Sequence, residues 1–464
     1  MKNIFKLTLA LLVVAGISTG CSDFLEPSVD QNKPTDTAIQ SIDDLNSVVL
    51  GAHDFMNSTG LYGRDFVAGP EAMSDNAFSN QNSGRFIVQS QFNFTENSGY
   101  AETIWDDFYE AIAAANIAIG AELESTPAVD YAKGQAYAIR AFAHMQLLLN
   151  FGQQFSGGTL GIPYITTYNE GNLLPAREPV ADIWNKIGAD FEQAATLMDP
   201  SLDAGNPVFM NHTAVKALQS RYYLYTAEFD AAIAAADAIL PGYTPVSAAN
   251  LAAAWASGSG PNAIFEMGFT STNNVGNNSL ARIYRDTNYG DVEATQDLYD
   301  AYDPNDARLD LFSVEGDTIR ISGKYVDELG SDNTRIIRFA EVWLNKAEAL
   351  ARRGGAADLI EAVDMINTLS TARGVNDPYT YGTQAQVIAD VLAERRLELA
   401  FEGHRLFDLA RHELNIPYVS VPGRGVNFMT NGPIPFGDQM FVLPIPQAEM
   451  DANSSMDQNP YYTN

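Results

Sequence analysis

Two stretches of this chain restrict its architecture more than anything else in it. The segment VKALQSRYYLYTAEFDAAIAAADAIL begins at Val215, and RFAEVWLNKAEALARRGGAADLIEAVDMINTL begins at Arg338. Each reads as helix, tight turn, helix, with large residues early and alanines late. The first predicts helices over Thr213–Ala227 and Phe229–Leu240 around a turn near Glu228. The second predicts helices over Arg335–Arg353 and Ala357–Arg373, parted by Gly354-Gly355. Small residues let partner helices approach closely, and an amphipathic pair buries its apolar stripe only by stacking on a neighbour. The chain is therefore expected to be mainly α-helical, and built by stacking.

Further helices are predicted on the same periodicity. Ile39, Ile42, Leu45, Val49, Ala52 and Phe55 form one stripe, with Thr35 and Asp36 placed to cap it. Ala101–Leu123, Tyr131–Phe151 (with Gly152 at its C-cap), Glu178–Met198, Ala385–Phe401 and a short His404–Glu413 follow. The helix pairs resemble degenerate tetratricopeptide units, which repeat at about 34 residues. The expected fold is thus a scaffold of tetratricopeptide-like helix pairs, with irregular loops and minor β structure supplying a ligand face. Three stretches lack a helical period: 61–100, 262–308 and 421–442. The second contains a β-like run, Ala263–Phe269. Long irregular segments within a compact fold tend to carry function or to be disordered, and the aromatic residues of 61–100 argue against disorder there.

The N-terminus predicts export. Lys2 and Lys6 precede an apolar run, Leu7–Ile17, that is too short to span a bilayer, since spanning takes about 20 residues. Ser18-Thr19-Gly20 then leads to Cys21, the one cysteine of the chain. This order is a secretory signal, and a cysteine at the cleavage site makes it a lipoprotein signal in which Cys21 is acylated. Ser18 stands where such signals usually carry Leu. The expected organisation is a signal peptide over 1–20, a tether over 21–33 punctuated by Pro27, and a helical domain over 34–464 with loop insertions at 61–100 and 262–308. One cysteine can form neither an internal disulfide nor a Cys₄ zinc site.

Charge narrows function. The 464 residues carry 27 Lys+Arg against 58 Asp+Glu, a formal net charge of −31. Such a surface is unsuited to nucleic acid, because it cannot displace the counterions of a phosphate backbone. No phosphate-cradling glycine loop or H-E-x-x-H occurs, and the G-x-S-x-G match at Gly16–Gly20 falls inside the expected signal peptide. Three constellations remain. His404, Asp408 and His412 share one helical face and are a conceivable metal triad, although pairing of Asp408 with Arg405 or Arg411 is the expected arrangement. Glu398 and Glu402 are a conceivable carboxylate pair for sugar hydrolysis, yet nearby arginines would hold both ionised and leave no general acid. Tyr302–Asp310 (YDPNDARLD) fails as a calcium loop, with Ala307 at position five, and is expected to be a turn pairing Asp306 with Arg308. No enzyme activity, cofactor or metal is expected.

Several segments resemble the SusD/RagB family of outer-membrane nutrient-uptake lipoproteins. These are ERRLELAFEGHRLFDLAR (Glu394–Arg411), FVLPIPQAEMDANSSMDQNPYY near the C-terminus, IRAFAHMQLLLNFGQQF followed by GIPYI, and RFAEVWLNKAEALARRG. Leu406 departs from the larger aromatic usual there. The resemblance implies a non-catalytic, lipid-anchored protein on the outer membrane, facing the cell exterior. It implies capture of oligosaccharide and delivery to a SusC-like TonB-dependent transporter. A peptide-binding member of the same family, or a helical-repeat adaptor for another protein, are the alternatives. The matched motifs are scaffold motifs, so the resemblance names no ligand residues. From the residues themselves, Leu61–Tyr100 and Gly268–Tyr302 are expected to build the ligand face. Tyr62, Phe86, Tyr100, Tyr284 and Tyr289 would stack on sugar C–H faces, while Asp75, Asn76, Arg85 and Asn288 would hydrogen-bond hydroxyls.

Overall fold

Ser41 starts the first helix by accepting the Asp44 backbone N–H on its Oγ at 3.2 Å. In this α1 (Ile42–Met56), Leu45, Val49, Ala52 and Met56 line the buried face. The computed structural model describes residues 39–168, 174–285, 289–419 and 433–463. Ser41–Asn464 form one unit. Thr35 and Asp36, the caps expected from sequence, the tether and Cys21 lie outside the described residues.

Two short helices and a strand follow in the stretch that sequence marks as irregular: α2 (Asp65–Ala72), β1 (Ala77–Ser79) and α3 (Ile87–Gln91). They are shorter than the window in which a helical period becomes visible. Then come α4 (Gly99–Gly120), α5 (Pro127–Phe151) and α6 (Val180–Leu197). Thr126 caps α5 through the Val129 N–H, and Pro127 sits at its first position, where a missing N–H costs nothing. The first expected pair is α7 (His212–Tyr225) and α8 (Phe229–Asp237), and α9 (Ala248–Trp255) comes next. The irregular region then supplies β2 (Ala263–Met267), α10 (Leu280–Tyr284), β3 (Val292–Ala294), α11 (Gln296–Asp300), β4 (Phe312–Glu315) and β5 (Thr318–Ile321). The second pair is introduced by β6 (Thr334–Arg338) and consists of α12 (Phe339–Arg353) and α13 (Ala356–Ala372). The chain continues with α14 (Gln384–Leu399), α15 (Arg405–Arg411) and α16 (Gln447–Ala452).

The helices stack as their small residues require. Successive contacts run α1 on α4, α4 on α5, α5 on α6, α6 on α7 and α8 on α12, and α12 packs against α13 and α14. One core joins the two pairs, with Leu224, Ala232 and Ile233 from the first meeting Leu344, Ala347, Ala362 and Ile366 from the second. Gly354, with φ +79°, closes α12 in the left-handed conformation that permits the tight turn. Gly152 does sit at the C-cap of α5, but in extended conformation; a Cβ there would meet the Leu148 carbonyl at 2.6 Å.

One expected boundary is corrected. Residues 335–338, read as the start of a helix, are the strand β6, antiparallel to β2 with Glu266 opposite Arg335. A window of sequence cannot show that Thr334, Arg335 and Ile337 find a ladder partner some seventy residues away. A second pairing joins β1 to β3, with Ala77 opposite Ala294 and Ser79 opposite Val292. It brings the two irregular regions together. Among the described residues, no helix is long and apolar enough to cross a membrane.

Candidate functional site

The charge-dense block Glu394–Arg411 is a buried lock. Glu398 accepts from Arg338 Nη1 (2.7 Å), from Arg373 Nη2 (2.7 Å) and Nε (2.9 Å), and from Arg308 Nη1 (3.2 Å). Glu402 accepts from Arg338 Nε (2.7 Å) and Lys324 Nζ (2.6 Å). Burial alone would raise both carboxyl pKa values. The surrounding cations outweigh it, holding Glu398 well below the usual carboxylate range and Glu402 at about 2. A pair held ionised in this way offers no proton to a leaving group.

The metal triad does not assemble either. His404 faces Glu341 at 3.6 Å, Asp408 accepts from Arg395 Nε at 2.9 Å, and His412 Nε2 lies 2.8 Å from Glu348. His404 and His412 sit at the two caps of α15 rather than along it. Asp306 pairs with Arg308 at 2.7 Å as expected.

The structure separates the expected ligand residues into three groups. The first is core. Tyr62 stacks on Phe142 (5.9 Å, 25°) and meets Phe66 and Phe108 edge-on. Phe86 is buried with the Arg64 guanidinium 5.7 Å from its ring. Tyr284 is wholly buried between Tyr325 and Phe401. These three rings present no face to a ligand, because loops whose backbones run over the surface turn their largest apolar side chains inward. Tyr100 is half-buried and tilted on Phe94, with its hydroxyl wedged against Gly69.

The second group is taken up by arginines, Asp75 in ion pairs and Asn76 in a hydrogen bond. Asp75 accepts from Arg405 Nε (2.6 Å) and Nη2 (2.7 Å), and Asn76 Oδ1 accepts from Arg396 Nε (2.9 Å). Burial would raise the Asp75 pKa, but Arg405 and Arg396 bring it below the usual range. Both arginines edge a cleft of about 550 Å³ whose other walls include Tyr379, Ile388, Leu392 and Leu414. Asp75 and Asn76 therefore lie beneath that cleft and position its arginines; they do not face a ligand.

The third group converges. Pairing of β1 with β3 sets the loop after β1 against the loop before β3. There the Arg85 guanidinium rests 4.1 Å from the Tyr289 ring centroid. Arg85 Nη1 donates to Ser83 Oγ at 2.8 Å and lies 3.7 Å from Asp291 Oδ2. Both Arg85 and Tyr289 are half-buried, whereas the Asp291 side chain is only 1% exposed. Neither Asp291 oxygen has a hydrogen-bond donor among the described residues. Asn80 Nδ2 donates to Gly290 O (2.7 Å) and Glu293 Oε1 (2.9 Å), and Arg320 Nη2 donates to the same oxygen (3.2 Å). Gly290 has φ +54°, and a Cβ there would stand 2.8 Å from Arg320 Nε, so the close approach requires glycine. Asn288 lies outside the described residues.

A half-buried guanidinium fork beside a partly open ring suits a ligand with many hydroxyl groups, with Asp291 buried behind the fork. Hydroxyls accept from guanidinium, while sugar C–H faces lie against rings. Sequence reasoning missed Asp291, Asn80 and Arg320 here. Only the pairing of β1 with β3 collects them, and short, widely separated strands leave no local signal of their partners.

The comparisons with known proteins agree along the chain. A family model described as the SusD family matches residues 320–462, and one described as starch-binding, associating with the outer membrane, matches residues 23–224. Among relatives, SusD-like protein P2 of Formosa agariphila is 24% identical, covering 99% of this chain and 99% of its own. SusD-like protein P38 of the same organism is 23% identical over 88% of this chain and 91% of its own. A SusD superfamily structure from Bacteroides vulgatus superposes with a TM-score of 0.83 at 26% identity, covering 92% of this chain and all of that one. A SusD-like carbohydrate-binding protein from the same species matches in fold, with a TM-score of 0.79 at 20% identity, over 92% of this chain and all of that one.

Proposed function

We propose that this chain captures glycan at the outer membrane as a member of the SusD/RagB family, which the matched models and relatives support, through the hydroxyl-binding pair Arg85 and Tyr289. It acts without catalysis, as a lipid-anchored receptor held through Cys21 and exposed to the cell exterior. It passes oligosaccharide to a SusC-like TonB-dependent transporter. The starch-binding, outer-membrane description of the model matched over 23–224 supports the ligand class and the location. The single observation that carries the reading on this chain is the Arg85–Tyr289 stack at 4.1 Å beside Asp291.

The working is simple in physical terms. The pairing of β1 with β3 brings Arg85 and Tyr289 together. Arg85 and Tyr289 then offer ring and fork with little conformational entropy left to lose on binding. The Glu398 and Glu402 carboxylates remain ionised and enclosed, which keeps the frame rigid and leaves a bound glycosidic bond untouched.

Calorimetry of the purified protein against a panel of neutral and acidic oligosaccharides tests this. Arg85→Ala and Tyr289→Ala are each expected to weaken the best ligand about tenfold, equivalent to roughly 1.4 kcal/mol, with unchanged melting. No binding to any glycan would refute the function. Binding indifferent to both substitutions would refute the site.

A further inference from the structure

A second recess lies away from the Arg85 site, between α4 and the segment that follows α5. Two hollows of about 400 and 420 Å³ adjoin there, sharing Tyr109, Ala113, Pro163, Ile165 and Pro175 as lining. Each lies within the size range of ordinary ligand pockets. Trp105 floors the first, with its ring centroid 4.9 Å from that of Tyr109. Tyr109 Oη donates to Pro163 O at 2.8 Å and ties the helix to the opposite wall. Tyr168, 47% exposed, and Tyr164 line the second.

The chemistry of the lining is one-sided. Among the described residues, every charged group that lines the two hollows is a carboxylate: Asp106, Glu110 and Glu449 in the first, Glu178 in the second. Asp106 and Glu110 are exposed. Burial, then Glu102, Asp107, Glu110 and Glu449, raise the Asp106 pKa, which is the mark of crowded like charges. The chain already places one cation of its own at the margin. Lys186 pairs with Glu178 and lies 5.5 Å from the Tyr164 ring centroid. Aromatic faces beside carboxylates attract ammonium and guanidinium groups twice over, through the ring quadrupole and through charge.

We propose that this double hollow docks an extended, lysine- or arginine-bearing segment of a partner protein. Successive side chains enter the adjoining hollows, with their alkyl stems on Tyr109 and Tyr168 above the buried Trp105 and their cations against Asp106, Glu110 and Glu449. The site is separate from the Arg85 site, so glycan binding neither requires nor reports it.

The test uses the full folded chain and acetyl-tetralysine amide, with the same peptide acetylated on every Nζ as its uncharged control. Calorimetry at 150 mM salt is expected to show saturable binding of the charged peptide alone. Asp106→Asn with Glu110→Gln should weaken it at least tenfold, and Tyr168→Ala at least threefold. A chain this acidic attracts cations generally, so Glu315→Gln with Asp317→Asn, on the exposed turn of the β4–β5 hairpin, supplies the comparison and should change affinity less than twofold. Absence of saturable binding, equal binding of the acetylated peptide, or an equal loss in the hairpin variant would each overturn the proposal. So would displacement of the peptide by a neutral oligosaccharide.

Discussion

Glu398→Gln is the substitution that most directly interrogates the frame. Glutamine keeps the volume and removes the charge. The consequence differs among the three arginines around it. Arg338 retains Glu402 at 2.7 Å, and Arg308 retains Asp306 and Glu394, both at 2.7 Å. Arg373 loses its charged partner, and among the described residues it keeps the Val246 carbonyl, which accepts from Nη1 at 2.6 Å, and the neutral amide oxygen of the new glutamine. Its side chain is 2% exposed, so the stranded guanidinium has no route to water. Breaking a buried pair by removing one partner costs about 3–5 kcal/mol. Urea denaturation followed by far-ultraviolet circular dichroism measures the loss. Arg373→Met added to Glu398→Gln should recover part of it, because the orphaned charge goes with the arginine. The sign with pH is fixed as well. The Glu398 pKa lies well below its ordinary 4.5, so its stabilisation is fully present above about pH 4.5 and is lost as pH falls through the folded value. The glutamine variant should lack that acid limb. A loss below about 1 kcal/mol, or no recovery in the double variant, would refute the account of these carboxylates as a lock.

Three further outcomes are expected. Tyr284→Ala should destabilise by about 3–5 kcal/mol in a urea melt and leave glycan affinity unchanged in the folded fraction; the reverse pattern would return that ring to the ligand. His53 is buried, neither ring nitrogen has a hydrogen-bond partner among the described residues, and burial lowers its pKa from 6.5 to about 4. The unfolded chain therefore takes up the proton first, and the His53 share of stability should fall by about 3 kcal/mol between pH 6.5 and 4, alongside shares from the buried His144 and His404; His53→Phe should lessen that slope by its share, and an unchanged slope would contradict the reading. Gly69→Ala would set its Cβ 2.3 Å from Tyr100 Oη and should cost about 1–3 kcal/mol, whereas Tyr100→Phe, which removes a hydroxyl without a partner among the described residues, should cost almost nothing by the same melt.

Legibility followed the range of the interaction. The pair α7–α8 could be read because its alanines and its turn all lie within one window of sequence. The pairing of Asp306 with Arg308 is two residues long and was equally plain. Expected loop aromatics fared differently. Tyr62 and Tyr284 look the same in sequence as Tyr289, yet two lie in the core and one sits half-open beside Arg85. Which way a ring points depends on what stands over it, and for these residues the cover comes from Phe142 and Phe401, far along the chain.

The amino-acid order by itself determined the helical class, the stacking of the pairs, the acidic surface and the resemblance to SusD-type proteins. All of these are properties of composition, short periodicity and contiguous motifs. Tertiary structure alone decided which of the loop side chains stay open to solvent. It joined β1 to β3 across more than two hundred residues, spent Asp75 and Asn76 on arginines, and left Arg85 and Tyr289 facing each other. It also opened the carboxylate-rimmed hollows beside Trp105. The physical reason is that helix formation is local and repetitive, whereas burial of a side chain is settled by whichever distant segment packs over it.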